Sequence, residues 1–306
     1  MKITAIINSV SQPNKHRAVL STLTRALASH ELKTCLTEYP GHATELAARA
    51  VADKVDIIVI AGGDGTIGQV VNGMIGSEIR LGIIPTGTAN DLARYFGIPW
   101  SLDEACDVIL HGSMRRIDAI RFNDRYFVTT AGLGIGCETI AKAQQLRRLR
   151  YIGRPVARLA ERRLYALGYA LAVAERQGWP CRLHVRRNGL DISRETLSLT
   201  ISNLPQLGTS FNMAPAARTQ DGYFDICLIE DHGRVGAVAS GVRAGSNALA
   251  GAPRTRHWQA RSALIQCEQP LPFFADGELM PAASRFEISI APKAVSLITP
   301  FDSEVN

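Results

Sequence analysis

The sequence lacks an apolar run long enough to cross a membrane, which takes about 18 residues. Its best approach, residues 235–252, is interrupted by Arg243, by serines and by Asn247. The first ten residues carry one lysine and a short apolar run, and a polar stretch follows. They predict a first strand rather than a secretory signal, which needs a longer apolar region and a small-residue cleavage site. These absences favour a cytoplasmic protein.

The six cysteines form no CxxC pair, and no group of Cys and His has the spacing of zinc ligands. Free thiols in a reducing compartment are the expectation. The chain also has no GxxxxGK[ST] motif, which excludes a Walker-type phosphate loop.

The composition is that of a globular protein, with 306 residues of which 46% are hydrophobic and 20% charged. That length predicts two domains. The net charge of +6 favours an anionic partner, such as nucleotide phosphates or an anionic membrane surface. No basic strand interleaved with aromatic residues supports nucleic-acid binding, so we expect none.

The first 120 or so residues alternate apolar strands with helix-like segments. Continuous apolar runs at residues 55–61 and 79–85 predict buried strands of a parallel sheet with helices on both faces. Short alternating strands follow, interrupted by one Arg-rich helical segment over about 140–177. We predict an α/β domain over residues 1–128 and a domain of antiparallel strands over 129–306. A return of the last residues to the first domain is left open.

A glycine-rich turn, "GGDGT" at 62–66, follows the third strand. The spacing Gly63-x-Gly65-x-x-Gly68 fits a dinucleotide fingerprint, but that fingerprint normally follows the first strand and precedes an acid about 20 residues on. Asp64 inside the turn is favourable if Mg²⁺ neutralises it beside nucleotide phosphates. The turn therefore predicts phosphoryl transfer, with Thr66 beginning the next helix. A plain strand-to-helix turn is the alternative.

A second turn of the same kind, "PTGTAND" at 85–91, follows the next buried strand. Adjacent parallel strands bring their C-terminal loops to one sheet edge, where open α/β folds bind ligands. Asn90 and Asp91 fit either ligand contacts or helix caps.

These two turns, extended to "PTGTANDLAR" at 85–94, resemble the catalytic domain of diacylglycerol kinases and their bacterial lipid-kinase relatives, which include sphingoid-base kinases. "GGDGT" alone is shared with NAD kinases and phosphofructokinases, whereas the second turn is more specific. The likeness continues through "AGLGIG" (131–136), "FNMAPAARTQDGYFDICLI" (211–229) and "FFADGELM" (273–280). It implies an N-terminal α/β nucleotide domain, a C-terminal β-sandwich-like domain and an active site in the cleft between them.

The resemblance also implies roles for individual residues. Residues of the first turn, a threonine that ends the second strand and residues of the second turn would bind ATP. They are Gly62, Gly63, Asp64, Gly65 and Thr66, then Thr37, then Thr88, Asn90 and Asp91. Asp64, Asp91 and Asp118 would gather around the Mg²⁺ ion. In bacterial relatives a hairpin aspartate with nearby carbonyls holds a structural Mg²⁺, which maps to Arg218, Asp221 and Tyr223.

The motif "DGE" at 276–278 carries the resemblance to the catalytic base. A hydroxyl attacking phosphorus near pH 7 needs a proton acceptor, which a carboxylate provides. The family assigns this role to the glutamate, here Glu278. Chemistry alone does not choose between Glu278 and Asp276, and an Asp-Gly hairpin turn is the alternative.

The chain departs from its relatives in two places. They usually open with a strand that ends in Asn-Pro, whereas this chain keeps Asn8 without the proline, which puts adenine-side contacts in doubt. Many relatives also carry Asn at the position of Gly68.

A basic segment from Lys142 to Arg163 holds eight basic residues and one acid, Glu161. Apolar residues interleave at nearly helical spacing, which predicts docking to an anionic bilayer. A solvated surface helix is the alternative.

Together these observations predict an ATP- and Mg²⁺-dependent kinase acting on a hydroxyl of a diacylglycerol-like or sphingoid lipid. A soluble-substrate kinase of the NAD-kinase type and a non-catalytic nucleotide- or lipid-binding regulator are the alternatives. Oligomeric state is open, with a homodimer among the options.

Overall fold

A computed structural model describes residues 1–9, 16–152, 161–175, 181–187, 190–208 and 211–301, and for residues 147–152, 161–163, 181 and 190 it describes the backbone only. The chain divides into two compact units. Unit 1 comprises Met1–Ala119 and the C-terminal stretch from Ala291, and unit 2 comprises Ile120–Ile290.

Unit 1 is built on parallel strands in the order β2-β1-β3-β4. The end of β15 continues this sheet, because Ser296 and Leu297 pair in parallel with β4. The elements, in chain order, are β1 Lys2–Ile7, α1 His16–Ala26, β2 Glu31–Leu36, α2 His42–Ala52, β3 Ile57–Gly62, α3 Asp64–Met74, β4 Arg80–Pro85, α4 Asp91–Tyr95 and α5 Leu102–His111, followed by β5 Ser113–Phe122, whose last three residues belong to unit 2.

Both faces of the central strands are buried, as the continuous apolar runs predicted. On one face, Ile57 and Val59 of β3 pack with Leu23 of α1 and Ile109 of α5. Ile58 and Ile60 alternate onto the other face and are equally buried. Helices α2 and α3 approach so closely that a Cβ at Gly73 would lie 2.7 Å from Ala47 Cβ. This architecture confirms the predicted α/β class.

Unit 2 is antiparallel, with strand order β13-β12-β9-β7-β14-β15, and β8 pairs with both β9 and β14. Its elements are β6 Arg125–Phe127, β7 Thr130–Gly134, α6 Ile135–Ile152, α7 Glu161–Glu175, β8 Cys181–Arg187, β9 Leu190–Ser202, β10 Gln206–Leu207, β11 Phe211–Asn212, β12 Phe224–Glu230, α8 Gly233–Gly245, β13 Thr255–Ala260, β14 Ser262–Ala275 and β15 Glu278–Thr299. The antiparallel C-terminal domain predicted from the sequence is confirmed.

Strand β12 shows how unit 2 is layered. Phe224, Ile226 and Leu228 point into a core that contains a cluster of phenylalanines, among them Phe122, Phe273 and Phe286. Cys227 and Ile229 alternate to the opposite side and pack with α7 and α8. Burial raises the pKa of the Cys227 thiol to about 12, so this thiol is unreactive at neutral pH.

The Arg-rich segment differs from its prediction as one helix. Two helices are described, α6 and α7, and residues 153–160 between them lie outside the described residues. Within the described part of the chain, no helix is long and apolar enough to cross a membrane.

Candidate active site

The loops after four parallel strands of unit 1 lie side by side at one sheet edge. Backbone hydrogen bonds link them: Thr37 N to Ile7 O at 3.0 Å, Asn8 N to Ala61 O at 2.9 Å, and Thr86 N to Gly62 O at 3.2 Å. Each bond connects the end of one strand to the loop beside it. The structure therefore brings the two glycine turns together.

Glycine is required where the two turns touch. A Cβ at Gly87 would overlap Gly63 Cα and would lie 2.6 Å from Asn90 Oδ1. Conversely, a Cβ at Gly63 would lie 3.1 Å from Gly87 Cα. The two backbones are therefore in direct contact.

Asp64 joins the turns through its side chain. Its carboxylate accepts hydrogen bonds from the backbone N–H groups of Asp91 at 2.9 Å and Leu92 at 3.1 Å. It therefore caps the N-terminus of α4 across 27 positions of sequence. Helix α3 begins at Asp64 rather than at Thr66 as predicted, because Gly63 is extended and takes the N-cap position.

The charge of this buried carboxylate is balanced by donors. Burial raises the pKa of Asp64, whereas the N–H groups of Asp91 and Leu92 and the guanidinium of Arg94 oppose that rise. Arg94 Nη2 also lies 2.8 Å from Asp91 Oδ1 and donates to Ala89 O. Arg94 thus serves both acids, a role that the sequence did not predict.

Asn90 takes an unusual conformation between the turns. Its backbone is left-handed, with φ 46° and ψ 50°, and its Nδ2 donates to Gly87 O at 3.1 Å. Asn90 occupies the N-cap position of α4, but its side chain makes no capping hydrogen bond, and Asp64 accepts the N–H groups of the first turn instead. Asn90 Oδ1 is buried without a hydrogen-bond partner and lies next to Gly87. An orphaned amide oxygen suits a cation or a hydroxyl.

Two threonine hydroxyls complete the edge. Thr66 Oγ1 accepts a 2.6 Å hydrogen bond from Asn8 Nδ2, so Asn8 holds the start of α3 although the neighbouring proline is missing. Thr37 Oγ1 accepts from Ser9 N at 3.3 Å, and Ser9 Oγ donates to Thr37 O. Thr88, in the second turn, is half-buried.

Asp118 has a different environment. It is fully buried on β5, and its Oδ1 accepts a 2.7 Å hydrogen bond from Lys293 N, a residue with φ of 52°. In the ranges that the structure describes, no three His, Cys, Asp or Glu side chains form a group that could hold a metal ion. The structure therefore does not gather Asp64, Asp91 and Asp118 into a three-acid cluster.

In unit 2, Asp276 and Gly277 form a two-residue hairpin between β14 and β15, in which Ala275 pairs with Glu278. Both turn residues have positive φ, 48° and 77°, which is the geometry that favours Asp-Gly. The buried Asp276 carboxylate accepts hydrogen bonds from Thr129 N at 2.9 Å, Thr129 Oγ1 at 2.6 Å and Val128 N at 3.2 Å. It therefore ties the hairpin to the start of β7.

Glu278 differs from Asp276 in exposure. It is the first residue of β15 and is half-buried, directly after the turn. The hydrogen-bonded turn at Asp276 therefore fixes the backbone position at which Glu278 begins β15.

The predicted hairpin metal site lies in the turn before β12. Asp221 Oδ1 accepts from Tyr223 N at 2.9 Å, and Arg261 stacks 4.7 Å over the Tyr223 ring. Arg218 and Asp221 are exposed. Of the predicted basic segment, Lys142 pairs with Glu175, whereas the side chains from Arg147 to Arg163 lie outside the described residues.

Comparison with known protein families also divides the chain into two parts. Residues 2–122 match the family described as the diacylglycerol kinase catalytic domain, and residues 152–299 match the YegS C-terminal NAD kinase beta sandwich-like domain. Proteins named diacylglycerol kinase from Staphylococcus saprophyticus and Bacillus subtilis are each 31% identical to the chain, over 209 and 207 residues. Each match covers 66% of this chain and 64% of the relative, so the chain spans just under two thirds of the length of these proteins.

Solved structures share the fold. A diacylglycerol kinase from Bacillus anthracis has a TM-score of 0.73 and 21% identity, with 97% of this chain and 96% of that chain covered. A second structure from the same organism has a TM-score of 0.79 and 22% identity, with 100% and 98% covered. At these identities the likeness establishes the fold. From its two matched domains, the chain belongs to the family of proteins with a diacylglycerol kinase catalytic domain followed by a β-sandwich-like domain.

Proposed function

We propose that the protein is a lipid kinase that transfers the γ-phosphoryl group of ATP to a hydroxyl of a diacylglycerol-like or sphingoid lipid, with Mg²⁺. The observation that best supports this proposal is the contact between the two glycine turns in unit 1. Gly63 and Gly87 meet without side chains, and the N-terminus of α3 begins at the same place. Free amides at a helix N-terminus and in glycine turns are favourable partners for phosphate oxygens.

The oxygen donors at this edge fit Mg²⁺. The ion prefers hard oxygen ligands and is usually held by one or two carboxylates together with substrate phosphates and water. Asp64 and Asp91 both place carboxylate oxygens at this edge, and a carboxylate has about four lone-pair sites. Asn90 Oδ1 adds a buried oxygen that needs a partner. When bound, the ion would neutralise phosphate charge during transfer.

For the acceptor hydroxyl, we assign the general base to Glu278. Three donors hold the carboxylate of Asp276, and it is almost fully buried, so its role is to fix the hairpin. Glu278 is more accessible and lies next to that rigid turn. A carboxylate that accepts the hydroxyl proton during attack contributes typically 10²–10⁴-fold to the rate.

We further propose that Thr37, Thr66 and Thr88 contact ATP and that the hairpin of Arg218, Asp221 and Tyr223 holds a second, structural Mg²⁺. The hydrogen bond from Tyr223 N to Asp221 Oδ1 supports the latter, since it sets the carboxylate in a defined turn.

A lipid acceptor is supported by the names of the relatives, which are diacylglycerol kinases. A soluble acceptor such as NAD is the second candidate, because the C-terminal match is to a domain described as NAD kinase beta sandwich-like. The deciding experiment supplies γ-labelled ATP and Mg²⁺ to the protein with diacylglycerol, monoacylglycerol, phosphatidylglycerol, sphingosine or NAD. We expect label on a lipid. Label on NAD alone would favour the second candidate, and label on no acceptor would favour a binding protein.

A further inference from the structure

Helix α8 of unit 2, Gly233–Gly245, carries its side chains in an inverted arrangement. Its small residues face the protein and its largest apolar residues face solvent. A surface helix of a globular protein normally does the opposite.

The inward face is packed closely through small residues. A Cβ at Gly241 would lie 2.9 Å from Tyr169 Cζ, so the helix lies directly against this ring of α7. Tyr169 Oη donates a 2.7 Å hydrogen bond to Ala237 O. Ala237, Ser240 and Ala244 are buried on the same side. These contacts fix which face of α8 points outward.

The outward face is a stripe of three valines. Val235 is 84% exposed, Val238 52% and Val242 66%. Spacings of three and four residues place them one above another on a helix. Together they leave a continuous apolar ridge in water, which is unfavourable unless another surface covers it.

The charged residues of α8 and of the segment that follows it are all arginines. Residues 232–267 contain no aspartate or glutamate and five arginines, at positions 234, 243, 254, 256 and 261. The acids that precede the helix are Glu230 and Asp231, and Glu230 is paired with Arg256 and Arg194. In the described part of the chain, Arg234, Arg243 and Arg254 have no carboxylate partner.

We infer that the valine stripe of α8, flanked by Arg234 and Arg243, is a docking surface for an anionic lipid bilayer. An apolar ridge bordered by unpaired cations matches the boundary between acyl chains and anionic headgroups. Helix α8 has 13 residues and is about 20 Å long, which is too short to span a bilayer but suited to lying in its surface. The inference rests on the proposed function, because a kinase with a lipid acceptor must reach a membrane.

The test measures co-sedimentation of the full chain with vesicles of phosphatidylcholine alone or mixed with phosphatidylglycerol. One variant carries Val235→Ser, Val238→Ser and Val242→Ser, since serine and valine have similar helix propensities. A second carries Arg234→Gln and Arg243→Gln. The matched control carries Trp100→Ser and Met114→Ser, two apolar residues of unit 1 that are 57% and 55% exposed.

We expect wild type and control to bind the anionic vesicles alike and both α8 variants to bind roughly tenfold more weakly or worse. The arginine variant should also lose most of the salt dependence. Activity toward a short-chain, water-soluble diacylglycerol should stay at the wild-type level in both variants. If both α8 variants bind vesicles more weakly but the wild type phosphorylates no lipid, the proposed function is wrong and the docking surface is still supported.

Three results would overturn the inference. The first is failure of wild type to bind anionic vesicles, and the second is binding of the valine variant at the wild-type level. The third is conversion of a dimer into a monomer by the valine substitutions, seen by light scattering, without a change in vesicle binding, which would assign the stripe to a second copy of the chain.

Discussion

Replacing Asp64 should damage both the fold of unit 1 and nucleotide binding, because one side chain serves both. Its carboxylate accepts the N–H groups of Asp91 and Leu92 and so caps α4. In Asp64→Ala both donors lose their acceptor in a buried place. In Asp64→Asn one oxygen remains, and the new NH₂ group faces the second donor.

The size of the effect follows from these bonds. A hydrogen bond to a charged group contributes about 1.5–3 kcal/mol, and loss of a helix cap costs about 0.5–2 kcal/mol. The burial that raises the pKa of Asp64 offsets part of this gain, since removing the carboxylate also removes its desolvation cost. We expect Asp64→Ala to lower the free energy of unfolding by about 1–3 kcal/mol, or Tm by about 3–10 °C.

Differential scanning calorimetry measures the stability of the variants, and titration calorimetry measures Mg·ATP binding at a temperature where they are folded. Asp53→Ala is the matched control: among the described contacts, its carboxylate makes an exposed pair with Lys33 at 3.1 Å, so its loss should change stability by less than about 0.5 kcal/mol. If Asp64→Ala melts together with Asp53→Ala, the capping role is wrong. If it is destabilised but binds Mg·ATP as wild type does, the carboxylate caps α4 without serving the nucleotide.

Three further substitutions test other parts of the account. Gly87→Ala should weaken Mg·ATP binding at least tenfold because its Cβ would overlap Gly63. Gly76→Ala, which has no neighbouring atom within 4 Å but a φ of 81°, should lower stability and leave binding unchanged; equal binding by both folded variants would refute the contact between the turns. Burial raises the pKa of Asp225 to about 6, so its contribution to stability is present below pH 4 and is lost as pH rises through 6. Asp225→Asn should therefore raise the free energy of unfolding at pH 7.5 in metal-free buffer by up to about 3 kcal/mol, and Tm should rise with it. If the variant and wild type show the same dependence of Tm on pH, the prediction is wrong. Asp276→Ala should lower the free energy of unfolding by about 2 kcal/mol or more through loss of the bonds from Val128 and Thr129, and thermal melting checks this.

The sequence predicted most of unit 1 because its strands are continuously apolar and its helices have clear period. Burial of β3 and β4 on both faces follows directly from those runs. The meeting of the two glycine turns also follows, since parallel strands end at the same edge.

Features that depend on tertiary contacts were missed. Asp64 caps α4 from 27 positions away, and a capping search looks only at the adjacent residues. Arg94 and Asp91 form a local pair three residues apart, but the influence of Arg94 on Asp64 requires the two turns to meet.

Helix α8 was missed for a different reason. Its apolar residues point outward and its buried face is made of glycine, alanine and serine, so the usual amphipathic pattern is reversed. The inverted pattern becomes visible only once Tyr169 shows which side is packed.

The most direct test of the account compares Glu278→Gln with wild type in transfer of labelled phosphate to the best lipid acceptor. Glutamine keeps the size and hydrogen bonding of the side chain but removes its basicity. We predict that kcat falls by about 10²–10⁴-fold while Mg·ATP affinity changes little. Transfer by Glu278→Gln at a near wild-type rate would contradict the assignment of Glu278 as the base. If folded Asp276→Asn is then inactive, the base would be Asp276, and if both variants remain active the hairpin is structural only.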